Sequence, residues 1–336
     1  MQRCRSVGGS AVGGSLLAML LGGCVAAPDL RGPLPTRNQH PAQLTVMHLD
    51  PASAAVRPAG RVAVRADFAY TSLFLDGSRG SRQWVMDGET LRAALDLRVG
   101  LGHGLQLGTQ LAAAHTSGGF LDDFVIDYHE LFGFPDQGRD TSPRDDYLIE
   151  ATRGSTTLWE VEKSNVEWLD LPLHLTWQLA EPGPDRLGVA VRGGIELPTG
   201  DQNRGYGNGQ VDASFGALLD WRVGGVGLFG HAQHTFTGTP DRTRNRGLTF
   251  RDVSSFGLGA ELPLSRDLHA LVQVEYETST LRDLGPSVAS RDQMLLWVGG
   301  RYQPTPQWGV EVGFGEDLIG LVSPDFTAWL AVSWTP

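Results

Sequence analysis

RVAVRADFAY, residues 61–70, places Val62, Val64, Ala66, Phe68 and Tyr70 on one side of an extended chain and Ala63, Arg65, Asp67 and Ala69 on the other. A period of two, with charge confined to one face, is the pattern of a β-strand. The same alternation returns in LRAALDLRVGL from Leu91, LQLGTQLAAAH from Leu105, LDLPLHLTWQL from Leu169, LGVAVRGGIEL from Leu187 and VDASFGALLDW from Val211. It continues through VGLFGHAQHTF, SFGLGAELPL, LHALVQVEYE, MLLWVGGRY, WGVEVGFG and FTAWLAVSW, which brings the expected number of strands to about twelve.

The connections alternate in length. GHG, AEPGPD, VGG, SRD and QPTPQ are tight, whereas residues 71–89, 115–165, 199–210, 237–252 and 279–292 form long gaps. Short turns at one end and long loops at the other are the pattern of outer-membrane barrels, whose short turns are periplasmic. A sandwich would alternate too, so the aromatic residues decide between them. Trp177, Trp221, Tyr302, Trp308 and Trp334 fall at turn-side strand ends, and Tyr70, Phe236, Tyr276 and Phe314 toward loop-side ends. Two aromatic bands fit two membrane interfaces, and a closed barrel leaves no unpaired edge in lipid. The expected fold is therefore all-β: an antiparallel transmembrane β-barrel of about twelve strands with long extracellular loops and one short loop helix, over residues 62–336. A soluble periplasmic β-lipoprotein is the less favoured alternative.

Ahead of the barrel, Arg3 and Arg5 precede a short apolar run from Leu16 to Leu21. That run is too short to span a bilayer, so residues 1–23 read as a signal peptide. Leu21-Gly22-Gly23-Cys24 resembles the lipobox of bacterial lipoproteins and marks Cys24 for lipidation, with plain cleavage near Val25-Ala26-Ala27 as the other reading. Cys4 and Cys24 are the two cysteines of the chain, which leaves no disulfide and no zinc spacing in the exported part. Residues 24–61, rich in Pro, Ala and Gln, read as an extended periplasmic tether. The Gram-negative cell outer membrane, with the N-terminus in the periplasm, is the expected location.

The chain carries 27 Lys plus Arg against 38 Asp plus Glu, a formal charge of -11. That balance excludes nucleic acid as a partner, because phosphate neutralisation needs a clustered cationic face. Outer-membrane lipid is an expected partner and a small solute a further one; no cofactor or metal is expected.

Strand parity assigns Arg65, Asp67, Arg92, Asp96, Arg98, Arg192, Glu196, Asp212, Glu261, His269, Gln273, Glu275, Glu277, Arg301 and Glu311 to the lumen. Mixed signs suit either a solute path or an internally paired network that closes a small barrel, so the role reads as a narrow channel or a structural barrel, and an enzyme is the less favoured class. In the longest gap, Phe120, Phe124, Tyr128 and Leu131 recur at helical spacing, and Asp122, Asp123, Asp127 and Glu130 occupy the other positions. They predict a short amphipathic helix ended by Gly133 and Pro135, either capping the rim or entering the mouth. The carboxylates match no calcium-loop spacing. Gly-rich residues 197–212 lie between antiparallel strands with no following helix, so they form no phosphate loop. His115 and Ser117 share outward parity, and counting back from Leu169 puts Glu167 and Asn165 outward as well. This set resembles the outward His-x-Ser of outer-membrane phospholipases and lipid A deacylases, which implies ester hydrolysis as an alternative function.

GPLPTRNQHPAQL and HTSGGFLDDFVIDYHELFGFPDQGR resemble segments of a Gram-negative outer-membrane family defined by a domain of unknown function. The resemblance spans most of the chain after residue 30 and implies a barrel without an assigned activity. It marks Arg37, Asn38, Gln39, Asp122, His129 and Arg139 as family features.

Overall fold

The computed structural model describes residues 30–135, 137–318 and 323–336. The expected signal peptide and Cys24 lie outside them. Strands are β1 (Val62–Arg79), β2 (Arg82–Gly102), β3 (Leu105–Ser117), β4 (Leu148–Arg153), β5 (Thr156–Val161), β6 (Ser164–Trp168), β7 (Leu171–Ala180) and β8 (Gly188–Leu197). They continue with β9 (Asp212–Val223), β10 (Val226–Phe236), β11 (Val253–Pro263), β12 (Leu268–Glu277), β13 (Gln293–Tyr302), β14 (Trp308–Asp317) and β15 (Phe326–Trp334). Among the described residues there are four short α-helices, α1 (Pro41–Leu44), α2 (Asp122–Phe132), α3 (Asp241–Asn245) and α4 (Ser287–Ser290), and a 3-10 turn at Arg139–Thr141.

Twelve strands make the ring: β1, β2, β3 and β7 to β15, each antiparallel to its neighbours. Pairing of β1 with β15, from Val64 opposite Trp334 to Ser72 opposite Phe326, closes it. All twelve expected strand segments lie in ring strands. Closure satisfies the edge N–H and C=O groups that an open sheet would leave bare in lipid. The period of two then sorts the side chains. Phe68, Leu95, Leu111, Leu175, Leu219, Leu258, Val298 and Leu330 face out and are exposed, whereas Asp67, Arg92, Asp96, Arg192, Glu261 and Gln273 are buried inside.

Two connections differ from the expected loops. Residues 71–89 are a continuation of the β1–β2 ladder to Arg79 opposite Arg82, turned at Gly80 with φ +63°, a conformation glycine adopts without cost. Residues 115–165 hold α2 and the β4–β5 hairpin, and β4 pairs with the outer part of β2. These extensions fold over the loop end. Leu73, Leu75, Trp84 and Met86 pack with Ile149, Leu158, Trp159, Phe250, Leu281 and Leu284 into an apolar cap.

The largest departure concerns residues 24–61. From Leu30 on, this segment is no free tether. Residues 33–49 are buried, with Leu34 and Ala42 wholly inaccessible. It begins at the turn end, where Arg222 donates to the Leu30 carbonyl, climbs the lumen, and turns in α1 beneath the cap. It then descends to β1, where the Gly60 amide bonds to Gly100. A chain of this composition makes few hydrogen bonds of its own, so composition alone reads as linker; what orders it is the wall around it.

Candidate functional site

The lumen wall is built to hold main chain. In a strand, alternate residues face one side at about 6.6 Å spacing, which is also the repeat of an extended chain. β12 uses this match: Gln273, Glu275 and Glu277 face inward two residues apart, and they meet Leu34, Thr36 and Asn38, which are also two apart. Gln273 accepts from the Leu34 amide at 2.9 Å and donates to the Leu34 carbonyl at 3.0 Å and to the Thr36 hydroxyl at 2.8 Å. The Thr36 hydroxyl donates to Glu275 at 3.1 Å, and the Asn38 amide donates to Glu277 at 3.4 Å. The ascending limb thus lies in register beside β12, bridged by side chains instead of a backbone ladder.

At its foot the same logic uses charge. Glu261 accepts from the amides of Arg31 and Gly32 at 2.8 and 3.1 Å. Arg301 donates to the Gly32 carbonyl at 3.1 Å while pairing with Glu261 at 2.9 Å and Glu311 at 2.5 Å. At the apex, Arg37 donates to the carbonyls of Gln43 and Val46 at 2.9 and 3.2 Å, tying the two limbs together. Asn38 accepts from the His40 amide at 2.9 Å, and His40 accepts from the Ala42 amide at 3.2 Å to open α1. His40 also stacks on Trp84 of the cap, centroids 5.9 Å apart. Gln39 is buried beside them and donates to the Arg37 carbonyl at 2.9 Å.

The descending limb is held in the same manner from other strands. Asp212 accepts from Met47, Gln233 from Leu49, Asp220 from Ala54 and Gln106 from Arg57, all backbone amides at 3.0–3.1 Å. Arg192 donates to the carbonyls of Leu49 and Asp50, each at 2.6 Å. The Asp50 carboxylate sits 3.5 Å from Arg65, which pairs in turn with Asp67 at 3.4 Å; Arg92 pairs with Asp67 at 3.1 Å and Arg98 with Asp96 at 2.9 Å. Buried charges of this density are tolerable only when paired and hydrogen-bonded. Glu196 is buried in the same lumen. The lumen charges noted in the sequence therefore do two things at once: some neutralise one another, and others grip the threaded segment. Sequence reading missed the segment itself. Its signals were the period-two run of Gln and Glu on β12 and the apolar Leu34, Val46, Met47 and Leu49 inside a supposed linker.

The loop helix lies outside the wall. Phe120 stacks near Tyr70 of β1 at 5.5 Å, Phe124 meets Phe326 of β15 at 5.3 Å, and Tyr128 meets Phe314 of β14 at 5.8 Å, all on the outer face. So α2 caps the rim and does not enter the mouth. Glu89 accepts from the amides of Phe120 and Leu121, at 3.0 and 2.5 Å, at the helix's N-terminus. Asp122 turns inward and pairs with Arg139, which also reaches Asp325 at 2.7 Å and Ser72 at 3.0 Å and lies 5.3 Å over the Phe74 ring. Burial pushes the Asp325 carboxyl up to about 6 against the opposing pull of Arg139. Asp123 pairs with Arg144 at 2.9 Å, Asp127 and Glu130 are exposed, and His129 is buried edge-on to Phe134 at 6.0 Å.

Of the outward hydrolase set, His115 and Ser117 share one face of β3, and Glu167 does not join them. His115 Nδ1 lies 2.8 Å from the backbone carbonyl of Asn165, and Ser117 stands two residues along the same face with no hydrogen bond to the imidazole. Glu167 corrects the parity count. A bulge places Leu169 inward, so Trp168 faces out opposite Ala113 and Glu167 stands opposite Ala114 at an inward position. One extra residue reverses the faces until a second irregularity, where His115 faces both Asn165 and Val166, restores them. The Glu167 carboxylate is taken by Ser164 at 2.8 Å and by Arg204.

A closed ring of twelve antiparallel strands with tight turns at one end defines a β-barrel of the outer-membrane type. The crystal structure of the COG4313 outer membrane channel from Pseudomonas putida F1 has the same fold, at TM-score 0.56 and 11% identity over 86% of this chain and 100% of that one. The NanC porin and the KdgM porin align at TM-scores 0.44 and 0.43, each with 8% identity over 81% of this chain and 98% of theirs. No curated protein sequence matches the chain. Residues 22–335 match the family described as "Protein of unknown function (DUF3187)", and the chain belongs to that family.

Proposed function

We propose that the protein is a narrow outer-membrane channel held shut by its own N-terminal segment. The observation that carries this reading is the way the segment is retained. A barrel that served only as a scaffold would be stabilised best by apolar side chains filling its interior. Here the wall instead offers carboxylates, amides and guanidinium groups to the backbone of a separate chain segment, and the same groups would line a hydrated path of mixed charge once that segment moved. Short turns face the periplasm in barrels of this kind, so both feet of the segment would open to that side. Leu30 lies at the turn end, and a lipid on Cys24, 6 residues earlier, would reach the adjoining leaflet across at most about 20 Å of extended chain.

Planar-bilayer recording tests the proposal. The full-length barrel should show rare openings, and variants with weakened grip on the segment should open more often. A barrel that shifts on gels after boiling, as a folded barrel should, yet stays silent in the loosened variants would sink the channel reading and leave a structural role. Parallel ester-hydrolysis assays on phospholipid and lipid A, with Ser117→Ala and His115→Ala beside the parent, test the alternative enzyme. No turnover is expected, since the Glu167 carboxylate that would orient the histidine faces inward and is engaged by Ser164 and Arg204.

A further inference from the structure

The wall has one interrupted seam. β3 pairs with β7 from Leu105 to Thr109 and with β6 from Ala113 to Thr116, but between these stretches three residues, Gln110 to Ala112, face four, Leu169 to Pro172. Two bonds frame the interruption, from the Leu169 amide to the Ala112 carbonyl at 2.9 Å and from the Thr109 hydroxyl to the Pro172 carbonyl at 2.8 Å. Pro172 has no N–H to give to the ladder. A cavity of about 280 Å³ fills the seam, lined by Leu111, Ala112, Trp168, Leu169 and Leu171 with Gln110 and Thr199.

Three features give this cavity a direction. Leu111 and Trp168 are exposed on the lipid-facing surface, so it opens to the bilayer. Its lining is almost wholly apolar, and a bound water would need at least two polar partners. Leu169, in contrast, is buried and also borders a small void of about 10 Å³ that touches Pro41 and Leu44 of α1. A single side chain therefore stands between the membrane side of the wall and the apex of the threaded segment. An apolar cavity of about 150 Å³ is enough to hold benzene, so this one has room for part of a longer chain.

We propose that the β3–β7 seam is a binding site for one unbranched hydrocarbon chain entering from the bilayer, with Leu169 as the partition between that chain and the apex of the N-terminal segment. This holds whether or not the barrel conducts. Bulges are enriched beside functional sites because they re-aim side chains locally, and here the bulge turns Leu169 inward while Trp168 and Leu171 remain at the membrane face. The chain could belong to a membrane lipid or to a free fatty acid, which share this chemistry.

The test is photolabelling of the full-length protein in phosphatidylcholine vesicles, with a diazirine on the acyl chain of the lipid in one arm and on free palmitate in the other. Labelled peptides should cluster at residues 110–112 and 168–171. The arm that labels identifies the source of the chain. Leu171→Phe narrows the cavity and should cut labelling there by about tenfold, the equivalent of about 1.4 kcal/mol. Leu219→Phe, on the lipid-facing side of β9, should leave it unchanged. If Leu171→Phe loses the heat-modifiable band of a folded barrel, Leu111→Phe serves in its place. Labels spread evenly around the outer belt, or seam labelling unchanged in the narrowed variant, would overturn the proposal.

Discussion

Replacing Gln273 with leucine removes the contact that holds the ascending limb most completely. The amide of Gln273 both accepts from and donates to Leu34, at 2.9 and 3.0 Å, and donates to Thr36 at 2.8 Å. Leucine fills a similar volume but satisfies none of these groups. Leu34 is wholly buried, so its N–H and C=O would both be stranded, at a cost of about 1–3 kcal/mol each. Even the lower bound for the pair, about 2 kcal/mol, shifts the balance between held and released limb roughly 30-fold. Hydrogen exchange read by mass spectrometry checks this. Backbone amides in residues 31–36 should exchange faster by that factor, while peptides from β12 and β13 keep their protection, because the change weakens the plug and not the ring. Opening events in bilayer recordings should rise by the same factor if the limb is the gate. Unchanged exchange of the limb in a correctly folded Gln273→Leu barrel would refute the reasoning, since it would mean that the side-chain bridge to β12 contributes nothing to retention.

Other consequences follow from the loop end. Arg139→Ala leaves Asp122 and Asp325 buried without their cation, a loss of about 3–5 kcal/mol. The expected result is rapid protease cleavage within residues 118–146 with the heat-modifiable barrel intact, and resistance equal to the parent would show that α2 is held by its aromatic contacts alone. Because burial raises the Asp325 carboxyl to about 6, from an ordinary value of 3.8, docking of this loop is firmest below about pH 4 and weakens as pH rises through 6. Exchange of residues 137–146, corrected for the intrinsic effect of pH, should therefore show less protection at pH 7.5 than at pH 4.5; the opposite trend would mean that the Arg139 pair outweighs burial. Glu89→Gln keeps an acceptor for the amides of Phe120 and Leu121 but removes the charge at the helix N-terminus, and should loosen α2 by about 0.3–1 kcal/mol, visible as modestly faster exchange at Val125.

Much of the wall was readable because its pattern is local. A strand between lipid and a polar lumen must alternate at every step, so RVAVRADFAY and its eleven counterparts declare themselves without knowledge of their neighbours. Inward charges such as Arg92, Asp96, Arg192 and Arg301 follow from the same parity. Parity fails where one residue is inserted. The bulge at Leu169 turned Glu167 inward, and its one mark in LDLPLHLTWQL is Pro172, a residue that paired strands accept at bulges but that does not say which residue is the extra one.

By itself the sequence determined the ring: twelve amphipathic strands, tight turns at one end, aromatic girdles and a polar interior, each fixed by nearest-neighbour alternation. Only the tertiary structure decided what fills it. Residues 30–57 form little regular structure of their own, so no short-range period could reveal that Leu34, Thr36 and Asn38 would find Gln273, Glu275 and Glu277 some 239 positions away. An extended segment becomes a plug or a tether according to whether another part of the chain supplies partners for its backbone, and that choice is made only when the barrel closes around it.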